Sequence, residues 1–177
     1  MTCCGFYINK KNAYAFSDGA AYNGQTKQYV INPKFFKVGD LWFAYTSSFR
    51  MADILQYQLS LEKDKKQNDV EYIKKYVMER IRLVLKDNGF TSVNNNKETA
   101  GTFLIYYKNK VYTIFDDLQC NLLKKDIYTV GCGEECMTAS FLASNKKDIV
   151  KTLKKCLYIT SKISFGVEPP FFIKKIK

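Results

Sequence analysis

Three pairs of short apolar runs, each pair joined by a polar turn, constrain the fold of this chain more than any other sequence feature. The clearest pair is GTFLIYYKNKVYTIF at 101–115, where apolar and polar residues alternate on both sides of Lys108, Asn109 and Lys110. Alternation with a period of two is typical of strands, and a short polar link between two such runs predicts a hairpin. The other two pairs are 4–8 with 13–16, and 29–38 with 41–46. The chain is therefore predicted to contain antiparallel sheet.

Helices are predicted between these groups of strands, mostly from apolar residues at three- and four-residue intervals. The predicted helices are 51–59, 70–85, 135–143 and 147–160, and two more strands are predicted at 127–130 and 171–176. A charged stretch at 62–67 interrupts the helical pattern, Asn68 or Asp69 caps the second helix, and 94–96 forms a loop. The resulting order is strands, two helices, strands, two helices and a strand. It predicts an α+β fold with antiparallel sheets between helical layers.

The composition narrows the class of protein. The chain has 177 residues, of which 46% are hydrophobic and 25% charged, and this predicts a single globular domain spanning 1–177. No apolar run reaches the roughly 20 residues that a membrane helix requires. The start of the sequence has neither the basic region nor the long apolar region of a signal peptide. We therefore expect a cytoplasmic protein that does not associate with membranes.

The His and Cys content limits the chemistry. The chain has no His, which removes His-based catalytic arrangements and His metal sites, so a general base must be a Lys, a carboxylate or an N-terminal amine. The six Cys have no disulfide-type spacing, and reduced thiols are expected. A zinc site formed by Cys3, Cys4, Cys132 and Cys136 is disfavoured because the sequence contains no CxxC. We expect no metal and no other cofactor.

The net charge of +11 suggests nucleic-acid binding as an alternative function. The Lys residues, however, lie in small scattered groups, and no stretch interleaves aromatic residues with Arg as a base-stacking surface does. A solvated basic surface is the favoured interpretation, and nucleic acid is not an expected partner. The salt dependence of DNA binding distinguishes the two interpretations.

The residue that follows Met1 is Thr2, and a Met before a small side chain is removed by methionine aminopeptidase. A free N-terminal Thr carries a hydroxyl and an α-amine on neighbouring carbons, so that one residue supplies both a nucleophile and a base. Asp18, followed by Gly19, ends the second predicted strand, and Lys34 lies in the third. Each of these residues is common by itself. The three residues together, each at its position relative to the predicted strands, are the feature that indicates a function.

The spacing of Thr2, Asp18 and Lys34 resembles that of the N-terminal-nucleophile (Ntn) hydrolases, and within them the proteasome β subunits and the HslV-like bacterial threonine peptidases. In that family a nucleophilic Thr begins a strand, an Asp-Gly or Asp-Ser ends the next strand, and a Lys follows in the third. The segments 41–53 and 128–141 (YTVGCGEECMTASF) resemble the family's strand–turn–helix and its Gly-Ser-Gly turn. The resemblance covers essentially the whole chain and implies a four-layer αββα sandwich of two antiparallel sheets.

The resemblance also implies a function, although whether the chain is an enzyme stays open at this point. It implies a threonine peptidase that cleaves proteins or peptides once Met1 is removed. The Thr2 hydroxyl would attack the peptide carbonyl, and the Thr2 amine, with a reference pKa of about 7.7–8.0, would accept the proton. Lys34 would lower the pKa of that amine, and Asp18 would keep Lys34 charged and oriented. The family further implies a homo-oligomeric ring of six or seven subunits, single or double, with a AAA+ unfoldase as a candidate partner.

Three positions depart from the family's pattern. The backbone N–H that stabilises the oxyanion belongs to a Gly in the family and falls at Ser48 here. The hydroxyl that supports the Thr amine is replaced by the thiol of Cys132, and a carboxylate near the nucleophile is replaced by Ser164, or by Ser161 with a small shift. These departures keep an alternative open, namely an inactive structural or binding subunit in which a retained Met1 caps the Thr2 amine.

Overall fold

The structure is a computed structural model that describes residues 2–23, 26–62 and 68–177. Its strands form two larger antiparallel sheets and two small hairpins. The first sheet has the order β12 (Ile127–Val130), β1 (Cys4–Ile8), β2 (Ala13–Ser17), β13 (Phe172–Lys175). The second has the order β11 (Cys120–Leu122), β10 (Lys110–Ile114), β9 (Phe103–Tyr107), β6 (Leu41–Tyr45), β5 (Phe35–Val38). The hairpins pair β3 (Ala20–Asn23) with β4 (Thr26–Tyr29), and β7 (Ser92–Asn94) with β8 (Lys97–Thr99).

The helices lie in two groups that match the two predicted pairs. The first group consists of α1 (Phe49–Tyr57), α2 (Asp69–Glu71), a π-helical segment (Tyr72–Val77) and α3 (Met78–Asp87), and the second of α4 (Glu134–Leu142) and α5 (Ile149–Ile163). Polar side chains fix where three of these helices begin: Ser48 caps α1, Asn68 caps α2 and Asp148 caps α5. No helix in the described part of the chain is both long and apolar enough to span a membrane.

Three apolar clusters show how these elements are layered. One cluster joins the two sheets, with Phe6 and Ala15 on the first sheet and Leu104 on the second. A second cluster fills the space between the second sheet and the α1–α3 group, and a third lies between the first sheet and α4 and α5. Each sheet is therefore covered by helices on one face and by the other sheet on its opposite face. The predicted αββα sandwich of antiparallel sheets is confirmed.

One predicted strand is wrong. The segment 29–38 is not continuous, because Tyr29 ends β4 and β5 begins only at Phe35. Pro33 lies between them and has no N–H to donate to a ladder. The hairpin of β3 and β4, which precedes this break, was not predicted, and all four residues of β4 are exposed, so they leave no alternation to detect.

The predicted loop at 94–96 is the tight turn of the hairpin of β7 and β8, with Asn95 and Asn96 at φ angles of 49° and 62°. Asn tolerates this left-handed region better than most residues, so it suits such a turn. The charged interruption predicted at 62–67 falls at residues 63–67 outside the described part of the chain.

Candidate active site

The ends of three strands bring Thr2, Asp18 and Lys34 together. Thr2 precedes β1, and Asp18 follows β2, the antiparallel neighbour of β1, so the two residues lie side by side at one end of the first sheet. The Asp18 N–H donates to the Cys3 carbonyl at 3.0 Å. Lys34 immediately precedes β5 of the second sheet and reaches the first sheet from across the sandwich. The three sequence-predicted residues therefore meet where the two sheets face each other.

The Lys34 ammonium lies at the centre of this group. Its Nζ is 2.9 and 3.0 Å from the two carboxylate oxygens of Asp18 and 3.2 Å from Oγ1 of Thr2. Lys34 is 1% exposed and Asp18 is 0% exposed, so both charges are shielded from water. Such a pair is stable only if the remaining hydrogen-bonding capacity is also used. Asp18 meets this requirement, since it also accepts the N–H groups of Cys3 at 2.8 Å and Ala20 at 3.0 Å.

Ser17 is a further buried polar residue of the site that sequence reasoning missed. It is the last residue of β2, it is fully buried, and its Oγ accepts the Lys34 N–H at 3.1 Å. This bond ties the backbone of Lys34 to the strand end that carries Asp18. A Ser beside an Asp-Gly turn gives no distinguishing signal in a single sequence, because Ser is common at turns.

The turn at residues 131–133, between β12 and α4, holds the backbone of Thr2. The Gly133 N–H donates to the Thr2 carbonyl at 3.2 Å, and the Thr2 N–H donates to Sγ of Cys132 at 3.3 Å. Gly131 has φ +100°, and a Cβ at that position would lie 2.2 Å from the Thr2 carbonyl oxygen. Gly131 is therefore required by its backbone conformation and by the close approach of Thr2. Cys132 lies next to the Thr2 nitrogen, as the resemblance implies.

The backbone N–H of Ser48 is engaged within its own turn. It donates to the Thr46 carbonyl at 3.0 Å, and the intervening Ser47 has φ +74°, a left-handed conformation that is uncommon for a residue other than Gly. Side chains secure this turn on both sides. Oγ of Ser47 accepts the Thr102 N–H at 3.3 Å, and Oγ of Ser48 accepts the Met51 N–H at 3.3 Å. The Ser48 N–H is thus already bonded to a neighbouring carbonyl.

The two Ser residues considered as replacements for a carboxylate lie at the end of α5. Ser164 ends α5, where its N–H donates to the Thr160 carbonyl at 2.8 Å. The Ser161 hydroxyl donates to the Tyr158 carbonyl at 2.8 Å. Close to Ser164, the main-chain carbonyl of Phe165 accepts the Cys132 thiol hydrogen at 3.3 Å. A main-chain carbonyl belongs to every residue, so no sequence pattern could have indicated it.

A small cavity of about 90 Å³ opens beside Thr2. Its walls come from the start of β3, with Ala21 and Tyr22, and from the end of β6 and the following turn, from Tyr45 to Phe49. This volume suits one side chain rather than a whole ligand, since pockets for drug-sized molecules are on the order of 300–1,000 Å³. The cavity is therefore large enough for one small side chain beside Thr2.

Burial keeps the thiols of Cys3 and Cys4 in their protonated form. Burial raises the pKa of Cys3 well above its usual value, with smaller contributions from Cys4 and Asp18. Burial likewise raises the pKa of Cys4. A metal ligand or nucleophile must be a thiolate, so these two Cys are suited to packing. Among residues 2–23, 26–62 and 68–177, no group of three or more Cys, Asp or Glu is arranged to hold a metal ion.

Comparison with known proteins adds information on the fold. No protein-family model matches the sequence, and no curated protein matches it. Among solved structures, BPH from Thiobacillus denitrificans is similar with a TM-score of 0.80 and 17% identity, covering 100% of this chain and 98% of BPH. A BPH complex with epoxomicin gives a TM-score of 0.79 at 17% identity, with the same coverage. Eukaryotic HslV from Trypanosoma brucei gives a TM-score of 0.68 at 12% identity, covering 98% of both chains.

These similarities define the class of fold. The chain has the proteasome-like Ntn-hydrolase fold, and the resemblance inferred from its sequence is confirmed at that level. The identities are low, so the similarity establishes the architecture and leaves the chemistry to be argued from the residues of this chain.

Proposed function

We propose that this protein is a proteasome-like threonine peptidase in which Thr2 becomes the first residue after removal of Met1. One observation carries the proposal: a buried ammonium, that of Lys34, lies between the Asp18 carboxylate and the Thr2 hydroxyl, 3.2 Å from Oγ1 of Thr2. Burying a charged ammonium costs free energy. A lysine that served only the packing of the fold would not need to be buried in its charged form beside the Thr2 hydroxyl. The small cavity beside Thr2 further supports a substrate at this point.

The reaction follows from the positions of these groups. Oγ1 of Thr2 attacks the carbonyl carbon of a peptide bond, and the free Thr2 amine takes up the hydroxyl proton directly or through one water. The Lys34 ammonium favours the neutral form of that amine and stabilises negative charge on the Thr2 oxygen. The C–N bond breaks as the leaving amine receives the proton, which leaves an ester on Thr2. Water then hydrolyses this ester and regenerates the hydroxyl.

The oxyanion needs a donor, and the Ser48 N–H is the candidate. Because this N–H donates to the Thr46 carbonyl at 3.0 Å, the peptide between Ser47 and Ser48 must rotate when a substrate binds. Rotation of this peptide is therefore part of the proposed mechanism.

We further propose that the peptidase acts in the cytoplasm as a homo-oligomeric ring of six or seven subunits. Large apolar side chains on the outside support assembly, since Ile31 is 91% exposed and Tyr57 is 70% exposed. A ring encloses the sites and gives an unfoldase a surface on which to dock. Light scattering tests this proposal, and a 20.5 kDa monomer at micromolar concentration contradicts it.

A second candidate function is an inactive structural subunit on the same fold. The observation that favours it is the state of the oxyanion donor, because the Ser48 N–H is bonded internally and its turn is secured by two Ser side chains. Retention of Met1 would convert the Thr2 amine into an amide and remove the base. The two candidates therefore differ in one measurable property, the reactivity of Thr2 in protein that lacks Met1.

The experiment compares four proteins, each verified by intact mass to lack Met1: the unaltered chain, Thr2→Ala, Lys34→Ala and Lys37→Ala. Lys37 is a matched control, because it lies three residues from Lys34 on β5 but is exposed. We expect Thr2→Ala and Lys34→Ala to lose peptide hydrolysis by about 10³-fold or more, and Lys37→Ala to keep it. Epoxomicin, which BPH binds, serves as a second test, a reagent for the reactivity of Thr2 (the Thr2 probe). A folded, Met1-free protein that hydrolyses no peptide and is not modified at Thr2 supports the structural subunit.

A further inference from the structure

Glu168 joins two segments that flank the candidate active site. The Tyr22 hydroxyl donates to Oε1 of Glu168 at 3.2 Å, and the Lys27 ammonium forms an ion pair with Oε2 of the same carboxylate. Tyr22 and Lys27 belong to the hairpin of β3 and β4, whereas Glu168 follows α5. The ring of Phe165 lies against that of Tyr22, with centroids 5.5 Å apart. We call Tyr22, Lys27, Phe165 and Glu168 the Glu168 cluster.

The Glu168 cluster reaches Thr2 by two routes. Tyr22 lines the cavity that contains Thr2, so the position of its ring shapes the space beside the hydroxyl. On the other side, the Phe165 carbonyl accepts the Cys132 thiol hydrogen at 3.3 Å, and Sγ of Cys132 accepts the Thr2 N–H at 3.3 Å. The backbone of Glu168 is anchored beside Asp18, because its carbonyl accepts the Gly19 N–H at 2.9 Å.

The Cys132 thiol hydrogen can be donated to either of two carbonyl oxygens, so its direction has to be fixed by its surroundings. Besides the Phe165 carbonyl, the Thr2 carbonyl lies 3.5 Å from Sγ. A thiol is a weak donor, so a small displacement of the Phe165 carbonyl redirects it. Turning the thiol hydrogen from the Phe165 carbonyl to the Thr2 carbonyl would reorient the sulfur lone pairs that accept the Thr2 N–H. The segment that carries Phe165 therefore has to be fixed, and the Glu168 side chain is the charged group that ties it to the hairpin.

We infer that Glu168 is a positioning residue for the proposed reaction, holding the Phe165 carbonyl so that Cys132 supports the Thr2 nitrogen, and holding Tyr22 as a wall of the substrate cavity. This inference rests on the proposed function. The hydrogen bond from Lys27 lowers the pKa of Glu168, so the carboxylate is ionised across the neutral range. The side chains of Lys27 and Glu168 are 38% and 29% exposed, so the effect of losing their contact is modest rather than complete.

The test uses Glu168→Ala, the charge-reversed pair Lys27→Glu with Glu168→Lys, and a matched control, Glu98→Gln. Glu98 also forms an ion pair, with Arg82 at 2.6 Å, but it lies on β8 and does not belong to the Glu168 cluster. The first measurement is the alkylation rate of Cys132 by iodoacetamide, read by peptide mapping. We expect Glu168→Ala to raise this alkylation rate about fivefold. The rate rises because a thiol released from the Phe165 carbonyl is freer to react. The size of the change corresponds to the free energy of one partly exposed ion pair.

The second measurement is the rate at which the Thr2 probe modifies Met1-free protein, together with kcat and KM for a peptide. Glu168→Ala should slow modification about fivefold, raise KM through Tyr22 and lower kcat through Cys132. A simple loss of folded protein would lower kcat and leave KM unchanged. The charge-reversed pair should restore the rates to within about twofold, while each single reversal should not.

The outcomes separate this inference from the proposed function. Equal Cys132 alkylation rates in Glu168→Ala and the unaltered chain overturn the inference, and so does a faster Cys132 rate with unchanged Thr2 modification. Failure of the Thr2 probe to modify the unaltered, Met1-free chain contradicts the proposed function instead. An effect of Glu98→Gln equal to that of Glu168→Ala also overturns the inference, since it would show a general response to lost surface charge.

Discussion

The buried ion pair of Lys34 and Asp18 gives a quantitative prediction for stability. Lys34→Met keeps the length and apolar stem of the side chain and removes the charge, which leaves the fully buried Asp18 carboxylate without its cation. Removing one partner of a buried pair typically costs about 3–5 kcal/mol. Asp18 keeps the N–H groups of Cys3 and Ala20, so we expect the lower end, a loss of about 3 kcal/mol in the free energy of unfolding.

Urea denaturation, followed by the fluorescence of the single Trp, measures this loss at fixed protein concentration. Lys75→Met is the control, because Lys75 pairs with Glu71 at the same 2.9 Å distance with both side chains exposed, and it should cost about 0.5 kcal/mol or less. In the double variant with Asp18→Asn, the loss should be well below the sum of the single losses. A loss below about 1 kcal/mol for Lys34→Met, the range of exposed pairs, refutes the argument that this pair is buried and coupled.

Three further predictions concern the backbone and a second ion pair. Gly131→Ala should lower the free energy of unfolding by at least about 3 kcal/mol and displace Thr2. Gly39→Ala is the control, because Gly39 has φ +56° but no heavy atom within 4 Å of the added Cβ, and it should lower the free energy of unfolding by about 1 kcal/mol. Urea denaturation compares the two variants. Ser48→Ala should lower stability by about 1 kcal/mol and Ser48→Gly by a few tenths, because Ser48 caps α1; equal losses in the same assay contradict this role. Hydrogen bonds from two Lys side chains lower the pKa of Asp69. The stabilisation of the folded protein that results is therefore fully present above the ordinary Asp pKa of about 3.9 and is lost as the pH falls through the lowered value. Asp69→Asn should therefore destabilise the protein by about 1 kcal/mol or less at pH 7, and by progressively less as the pH falls below the ordinary Asp pKa of about 3.9. A loss of stability that does not shrink as the pH falls contradicts the assignment.

The sequence predicted the parts of the fold that depend on local pattern. The hairpins of β1 with β2 and β9 with β10 alternate clearly, and the capping residues Asn68 and Asp148 lie at or next to predicted helix starts. The hairpin of β3 and β4 was missed because β4 is exposed throughout and has no apolar face. Its position is determined by contacts with a distant segment, including the bond from Tyr22 to Glu168, and a local pattern does not contain that information.

The candidate site also contains features that the sequence predicted and features that it could not predict. Side chains with distinctive chemistry, namely Thr2, Asp18 and Lys34, were selected from spacing, and the structure places them within hydrogen-bonding distance. The hydrogen-bond partners of main-chain groups were not accessible to this reasoning. The contact of the Phe165 carbonyl with Cys132 depends on tertiary packing, and the internal bond of the Ser48 N–H depends on the left-handed conformation of Ser47. Neither feature is tied to a residue type.

The central claim is that Thr2 is a nucleophile once Met1 is gone, and chemical modification of that residue tests it most directly. Protein shown by intact mass to lack Met1 is incubated with the Thr2 probe, and the modified residue is located by peptide mapping. Because the Lys34 ammonium lies 3.2 Å from the Thr2 hydroxyl, we predict one modification per chain, located on Thr2 and abolished by Thr2→Ala or Lys34→Ala. A folded, Met1-free protein in which Thr2 stays unmodified contradicts the account.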